Sequence, residues 1–484
     1  MKEKKPVFIY AAIAVIITFA LCLGACPDFS EEDDDGGSGV VVMRPFDDWP
    51  DNQLSDLRWM TILSDIEKRG RKVRLDLSEC EISTGAKIMQ NVDIDGDGNI
   101  VLPKDRVRSR IAFIPNHPDL LTPPAIAGQG LIESIILPDI VGMIPHADKS
   151  PYGYEIEIRE EVLSTKSVFR YFTRLRSISG KNVQLIGNFS FFNKKTLEEV
   201  NFPRTNHINE GAFFGCTSLR EVNFKVALNI SIRAFEGCTG LRKADIPTLY
   251  LIDAGAFKGC ASLANVYFPY VGRINSYAFM GCSSLTEVIF PAATVIGKES
   301  FRNCTRLEKA IFHANPASGD LPFDPDEKPI VINNDHDDDN TSVFFYELAF
   351  SGCRNLKELD VRHAWNVYFA RSALADIGEH LDLYMFDDDG TKSFGHPQTD
   401  WFLGGGLDGL TTLKSIRLDL PYVGSATKVE NINQPEEDDP ADYNPSLFGI
   451  YVYIESTYKT PKIDVNITRR PPITITPNEP PTPP

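Results

Sequence analysis

A phenylalanine returns every 22 residues, at Phe191, Phe213, Phe235, Phe257, Phe279 and Phe301, and a cysteine keeps the same step at Cys216, Cys238, Cys260, Cys282 and Cys304. So regular a period specifies a solenoid. Ile186, Ile208, Ile230, Ile252, Ile274 and Ile296 each stand five residues before a Phe, and Leu197, Leu219, Leu241, Leu263, Leu285 and Leu307 six residues after one. One such unit cannot bury these groups alone. Stacked units join them into a continuous core, with equivalent side chains in columns. The expected fold is a β-rich α+β repeat of about 22 residues per turn, with short stacked parallel strands and capped ends.

Within one unit, Leu285, Val288 and Phe290 form a short strand whose alternation turns Val288 and Phe290 inward and Glu287 and Ile289 outward. Pro203, Pro247, Pro269 and Pro291 end the strand, because proline lacks an amide donor. Gly215, Gly237, Gly259 and Gly281 precede the cysteines, where a tight turn requires positive φ. The cysteines stack about 5 Å apart, the spacing of neighbouring strands. Small thiols suit a buried corner. Disulfides between adjacent rungs satisfy the distance but not the direction, since like rotamers point in parallel. Buried free thiols are therefore expected, and a metal site is not.

The pattern Ala-Phe-x-Gly-Cys followed by Leu-x-x-Val-x-Phe-Pro resembles the BspA-like leucine-rich repeats of bacterial surface proteins. The likeness is close over Ile186 to Phe312 and returns over Phe345 to Val361, where Ala349, Phe350, Gly352, Cys353, Leu356 and Leu359 restore the unit. Ile132, Ile135, Leu137 and Pro138, then Leu175 with Ile178, then Leu413, Ile416 and Leu418 look like degenerate turns. Ser300, Asn303 and Lys225 depart from the consensus Ala, Gly and Pro, changes expected to stay local. The resemblance implies a leucine-rich repeat solenoid, and an association with adhesion to host extracellular proteins and to other cells.

The flanks are read as caps, since an open solenoid exposes an apolar face and an unpaired edge. Leu54, Leu57, Thr61 and Ile66 suggest a helix starting near Asp51, followed by a strand at Val73, Leu75 and Leu77. Alternating residues at 450–454 and 463–467 are either capping strands or a small β domain. At the other end, Lys2, Lys4 and Lys5 precede an apolar run from Val7 to Leu21, and Leu23, Gly24, Ala25 and Cys26 look like a bacterial lipobox. That run, about 15 residues, is short of the roughly 20 that span a bilayer.

The domain reading follows: signal peptide 1–25 with Cys26 as the lipidated N-terminus, acidic flexible tether 26–45, N-terminal cap 46–130, and repeat solenoid 131–361. The step from Cys304 to Cys353 is 49 residues, one repeat plus a 27-residue insertion within 313–344. Degenerate repeats and a C-terminal cap fill 362–469, and a Pro-rich tail 470–484. The formal charge of −18 falls to about −20 once residues 1–25 are removed, which disfavours nucleic acid or anionic lipid as principal partner.

Outward positions of the repeat strands run Asn201, Asn223, Asp245, Tyr267, Ile289, Ile311 and Asp360. Tyr267, Ile289 and Ile311 are expected to stand exposed, bordered by Asn265, Glu287 and Lys309, with Asp245 at the near edge. Such a patch suits protein binding; its alternative is a surface covered by loops or by a second molecule. Asp93, Asp95, Asp97, Gly98 and Asn99 open like a calcium loop, but Lys104 occupies the position of the bidentate glutamate, favouring a polar turn. No zinc spacing, nucleophile elbow or phosphate loop occurs, so no catalytic residue, metal ligand or cofactor is assigned. The expected function is a lipid-anchored cell-envelope protein on the outer surface of a bacterium, an adhesin that binds protein or glycoconjugate partners without enzymatic activity. A self-associating structural scaffold is the alternative, and a hydrolase within 362–468, near Trp365 and Trp401, a lesser one.

Overall fold

Each 22-residue period folds into one coil that carries two short strands facing a shared core, for example Glu221–Asn223 and Asn229–Ile230. The computed structural model describes residues 30–33, 40–44, 52–83, 85–94, 108–146, 167–312, 342–361, 366–370, 372–384, 400–402, 415–420, 428–432, 451–455 and 464–469. Successive coils pair in parallel with a step of 22: Glu221 lies opposite Lys243, Asn229 opposite Leu251, and Ile230 opposite Ile252. The second strands of all coils form one 14-stranded sheet. The first strands form a ladder that opens once, between Lys243–Asp245 and Asn265–Tyr267. At that rung the inward residues are Ala244 and Ile246, where neighbouring rungs carry Val with Phe, and Ala244 is only partly buried. Less apolar volume holds the two strands together there.

The arc between the strands is bonded along the stack as well. Alternate amides at Arg233, Phe235 and Gly237 donate to the next coil's carbonyls at Ala254, Ala256 and Lys258, at 2.9, 2.8 and 2.8 Å. Two left-handed residues flanking each Phe, such as Arg233 (φ 56) and Gly237 (φ 75), turn these amides along the axis. The expected glycine position is confirmed, and Asn303 (φ 61) substitutes there as a residue tolerant of that conformation.

The repeat phenylalanines stack from Phe169 through Phe191, Phe213, Phe235, Phe257, Phe279 and Phe301 to Phe350, with centroids 4.7 to 5.4 Å apart and planes within 8°. The last step crosses 49 residues at an ordinary 5.3 Å, so the insertion leaves the stack undisturbed. Residues 313–341 themselves lie outside the described residues.

Cys216, Cys238, Cys260, Cys282, Cys304 and Cys353 are buried and free. Each thiol donates to the carbonyl of the preceding coil's Phe at 3.1 to 3.2 Å. Burial pushes the Cys216 thiol up to about 12 and the next three well above their ordinary value. Lys194 heads this column. Its Nζ, in the position of a sulfur, donates to the carbonyls of Phe169 at 2.6 Å and Phe172 at 3.1 Å, and burial lowers its pKa to about 8.

At the N-terminal end, helix α1 spans Asp56–Arg69, with the Ser55 side chain accepting from the Arg58 amide at 3.2 Å and Gly70 (φ 65) closing it. The expected start near Asp51 is therefore corrected: Leu54 belongs to a two-residue strand, Leu57 is 56% exposed, and the buried face is Trp59, Ile62, Leu63 and Ile66. Helix α2, Pro123–Gln129, crosses it so closely that a Cβ on Gly128 would lie 2.0 Å from the Leu63 carbonyl oxygen.

Three boundaries change. Within the supposed tether, Ser30–Asp33 and Val40–Arg44 pair antiparallel, and the latter joins Lys72–Asp76 in parallel; a β-branched run meeting an open ladder edge extends it. The ladder also reaches back through Lys72–Asp76 and Ile132–Ile136, so the solenoid begins before residue 131. At the other end Ser415–Leu420 and Asp464–Arg469 continue one sheet and Tyr451–Glu455 the other, all in parallel, so the alternating segments add strands at the end of the two ladders, the first of the two alternatives, rather than forming a separate β domain. Asp93 lies in the strand Met89–Ile94, opposite Ser109; Asp95 to Lys104 lie outside the described residues.

Ser300 occupies a column of alanines, fully buried, and its hydroxyl has no partner among the described residues, whereas Ser190 in the same column donates to Pro145 and Gly187. Ser300→Ala should stabilise the fold by about 1 kcal/mol, read as a higher urea midpoint at unchanged slope. Lys194 has a folded pKa below its unfolded value, so the unfolded chain binds more protons between about pH 8 and 10.5. Lys194 should therefore contribute a rise across that window, against the fall that the buried thiols impose above about pH 9, so Lys194→Met should lose stability more steeply than the parent between pH 7.5 and 10.5 in denaturant melts. Because only thiolate reacts, the six column cysteines should resist a thiol reagent in the native protein and all label once urea unfolds it.

Candidate binding surface

Strand alternation sets what the solenoid shows to solvent. In the first ladder Val200, Val222, Val266 and Val288 point into the core, while residues 199, 201, 221, 223, 243, 265 and 267 on the same strands are exposed. Register brings most of the predicted site together: Asn265, Glu287 and Lys309 lie side by side in one row, and Tyr267, Ile289 and Ile311 in the next. Asp245 does not join them. It stands across the opening in the ladder and pairs with Lys225 at 2.7 Å.

The expected exposure of Ile289 and Ile311 is overturned. Each is 7% exposed, and they pack on one another in a small cluster outside the main core. Asp360, next in that row, is 5% exposed, and Tyr267, before them, is 37% exposed. The outer face of the ladder is thus open over the early coils and closed over the later ones. Two β-branched side chains in register on adjacent strands form an apolar pair that favours burial over water. Of the border, Asn265 accepts from the Thr286 hydroxyl at 2.7 Å and Lys309 reaches Glu358 at 3.5 Å.

The open part of the surface is charged in rows. Arg176, Glu198 and Arg220 follow one another on successive coils, with contacts of 3.0 and 3.4 Å to the shared carboxylate. Exposed pairs of this kind contribute little to stability. They leave a polar face that can exchange its partners for those of a ligand.

Alternation along the ladder strands does not disclose a further group of exposed apolar residues, at the corners between strands. Val226, Leu228 and Tyr250 are 45%, 53% and 59% exposed. The available signal was a column comparison: residues 204 and 206 are Arg and Asn, whereas 226 and 228, one period later, are Val and Leu.

Among the described residues no group of three or more His, Cys, Asp and Glu is placed to hold a metal ion, and no helix is long and apolar enough to cross a membrane. His146 is half-buried, its ring nitrogen accepts from the Asn188 amide at 2.8 Å, and loss of hydration lowers its pKa to about 4 despite that bond. It is a neutral part of the first coils. Cys26 lies outside the described residues.

Residues 163–279 and 229–318 match the family described as BspA type leucine rich repeat region, in six copies. No curated protein matches the chain. Among solved structures, a leucine-rich repeat protein from Bacteroides ovatus is 16% identical, covering 67% of this chain and 79% of its own, with a TM-score of 0.31. A leucine rich cell surface protein from Faecalibacterium prausnitzii is 17% identical over 78% of this chain and 96% of its own, with a TM-score of 0.34. The leucine rich repeat protein of T. pallidum is 17% identical over 61% and 88%, with a TM-score of 0.28. The 22-residue coils between residues 163 and 318 are leucine-rich repeats of the BspA type.

Proposed function

We propose that this chain is a lipid-anchored protein of a bacterial cell envelope whose repeat surface binds macromolecules without catalysis, as an adhesin for host or cell-surface proteins. The observation that carries this reading is the register. Equivalent positions of successive coils lie opposite one another at every ladder step from Ser177–Ser179 to Lys243–Asp245, so solvent-facing residues form continuous rows while the core is conserved by geometry. Extended surfaces of that kind serve recognition, and a family resemblance alone does not fix the partner. The amino-terminal sequence supports export and acylation at Cys26.

Three measurements test the reading. Cells grown with an alkyne-tagged fatty acid should label the protein, and Cys26→Ser should abolish the label and release the protein from membranes. Protease added to intact cells should remove it, and deletion of the gene should lower attachment of the cells to immobilised host matrix protein. Survival of the protein under protease, with attachment unchanged, would sink the adhesin role.

A further inference from the structure

The corner joining Glu221–Asn223 to Asn229–Ile230 turns Ala227 fully inward and its neighbours Val226 and Leu228 outward. On the next coil Leu249 is buried and Tyr250 is exposed. The Tyr250 amide donates to the Leu228 carbonyl at 2.8 Å, which sets the two exposed side chains on adjacent rungs. Gly272 follows, its amide 3.2 Å from the Tyr250 carbonyl, and a Cβ there would meet only the Ala292 carbonyl oxygen at 3.9 Å. The rung after Tyr250 is therefore open at this corner. Three large exposed apolar side chains stand on two adjacent rungs, the kind of cluster that marks an interaction site.

Charge indicates what the patch takes. Residues 167–312 hold 18 Lys and Arg against 10 Asp and Glu, a balance of +8 within a chain of −18. Around the corner stand Arg204, one period before Val226, then Lys225, and Arg273, which follows Gly272; all three are exposed. Lys225 has Asp245 as partner, while Arg204 and Arg273 have no carboxylate partner among the described residues. A polyanionic glycan would satisfy the cations and leave Leu228 and Tyr250 facing water-bearing groups. A neutral apolar ligand would leave the cations unused. Resting on the binding function proposed above, we infer that this corner docks a segment of a foreign partner protein that presents bulky apolar or aromatic side chains among acidic ones.

The test uses the acylation-free mature chain and three polymers of matched length: poly(Glu,Tyr), polyglutamate and heparin, followed by fluorescence anisotropy at 0.15 M salt. Poly(Glu,Tyr) should bind at least tenfold more tightly than the other two. Leu228→Ser and Tyr250→Ser, both at exposed positions and checked for unchanged melting, should remove that preference, and Arg204→Gln should weaken poly(Glu,Tyr) while steepening no salt dependence. Equal binding of all three polymers would reduce the site to charge alone and overturn the proposal, as would no binding of poly(Glu,Tyr). Sedimentation showing the chain pairing with itself through Leu228 and Tyr250 would overturn the assignment to a foreign partner. Cell attachment that persists in these variants would sink this site while leaving the adhesin reading intact.

Discussion

The column of stacked phenylalanines fixes the pitch of the molecule. Parallel rings 4.7 to 5.4 Å apart match the separation of neighbouring strands, so ring contact and both backbone ladders are satisfied by the same rise per coil. Any other spacing would break one set to keep the other. Each Phe carbonyl also accepts the thiol of the next coil's cysteine, which ties the arc to the stack through a group left over by the ladder bonds. Left-handed residues on either side of Phe then follow as the conformations that bring alternate amides into line with the axis. Ring, thiol and turn act as one device repeated along the chain.

What depended on that device was legible in the sequence. The 22-residue step placed Ile186 to Ile296, Phe191 to Phe301 and the cysteines in columns, and each column is buried as read. Even the degenerate turn at Ile132 and Ile135 and the one at Ile416 and Leu418 lie in the expected ladder. Ile289 and Ile311 were not legible, because alternation reports which side of a strand a residue occupies and says nothing of whether protein covers that side. The helix start failed for a local reason: Ser55 offers an oxygen at the right offset to Arg58, which outweighs the apolar spacing that had drawn Leu54 and Leu57 inside. Val226, Leu228 and Tyr250 escaped notice because strand alternation stops where the corner begins.

The ends of the cysteine column show how such a stack begins. The first position of the row, residue 194, has the regular Phe carbonyl before it, that of Phe169, 25 residues earlier as for the cysteines that follow, while Phe172 occupies the preceding place in the column. Lys194 uses its length to take both. Its Nζ donates to the carbonyls of Phe169 and Phe172, and so closes the row with one donor serving two carbonyls where each thiol serves one. The same amine loses hydration without gaining a carboxylate, which is why burial rather than pairing dominates its ionisation.

Surface and core are decoupled by this architecture, and that has a consequence for recognition. Inward columns are constrained by every neighbour, whereas an outward residue at a corner touches little beyond the coils beside it. Replacing Arg204 and Asn206 with Val and Leu one period later leaves the backbone path unchanged, since Thr205 and Ala227 keep the inward place between them. Apolar groups can therefore be written onto one corner of the stack without a compensating change in the core. A net positive repeat region within an acidic chain is possible on the same terms: the buried Lys194 apart, cations such as Arg204, Lys225, Arg242 and Arg273 occupy positions that face water.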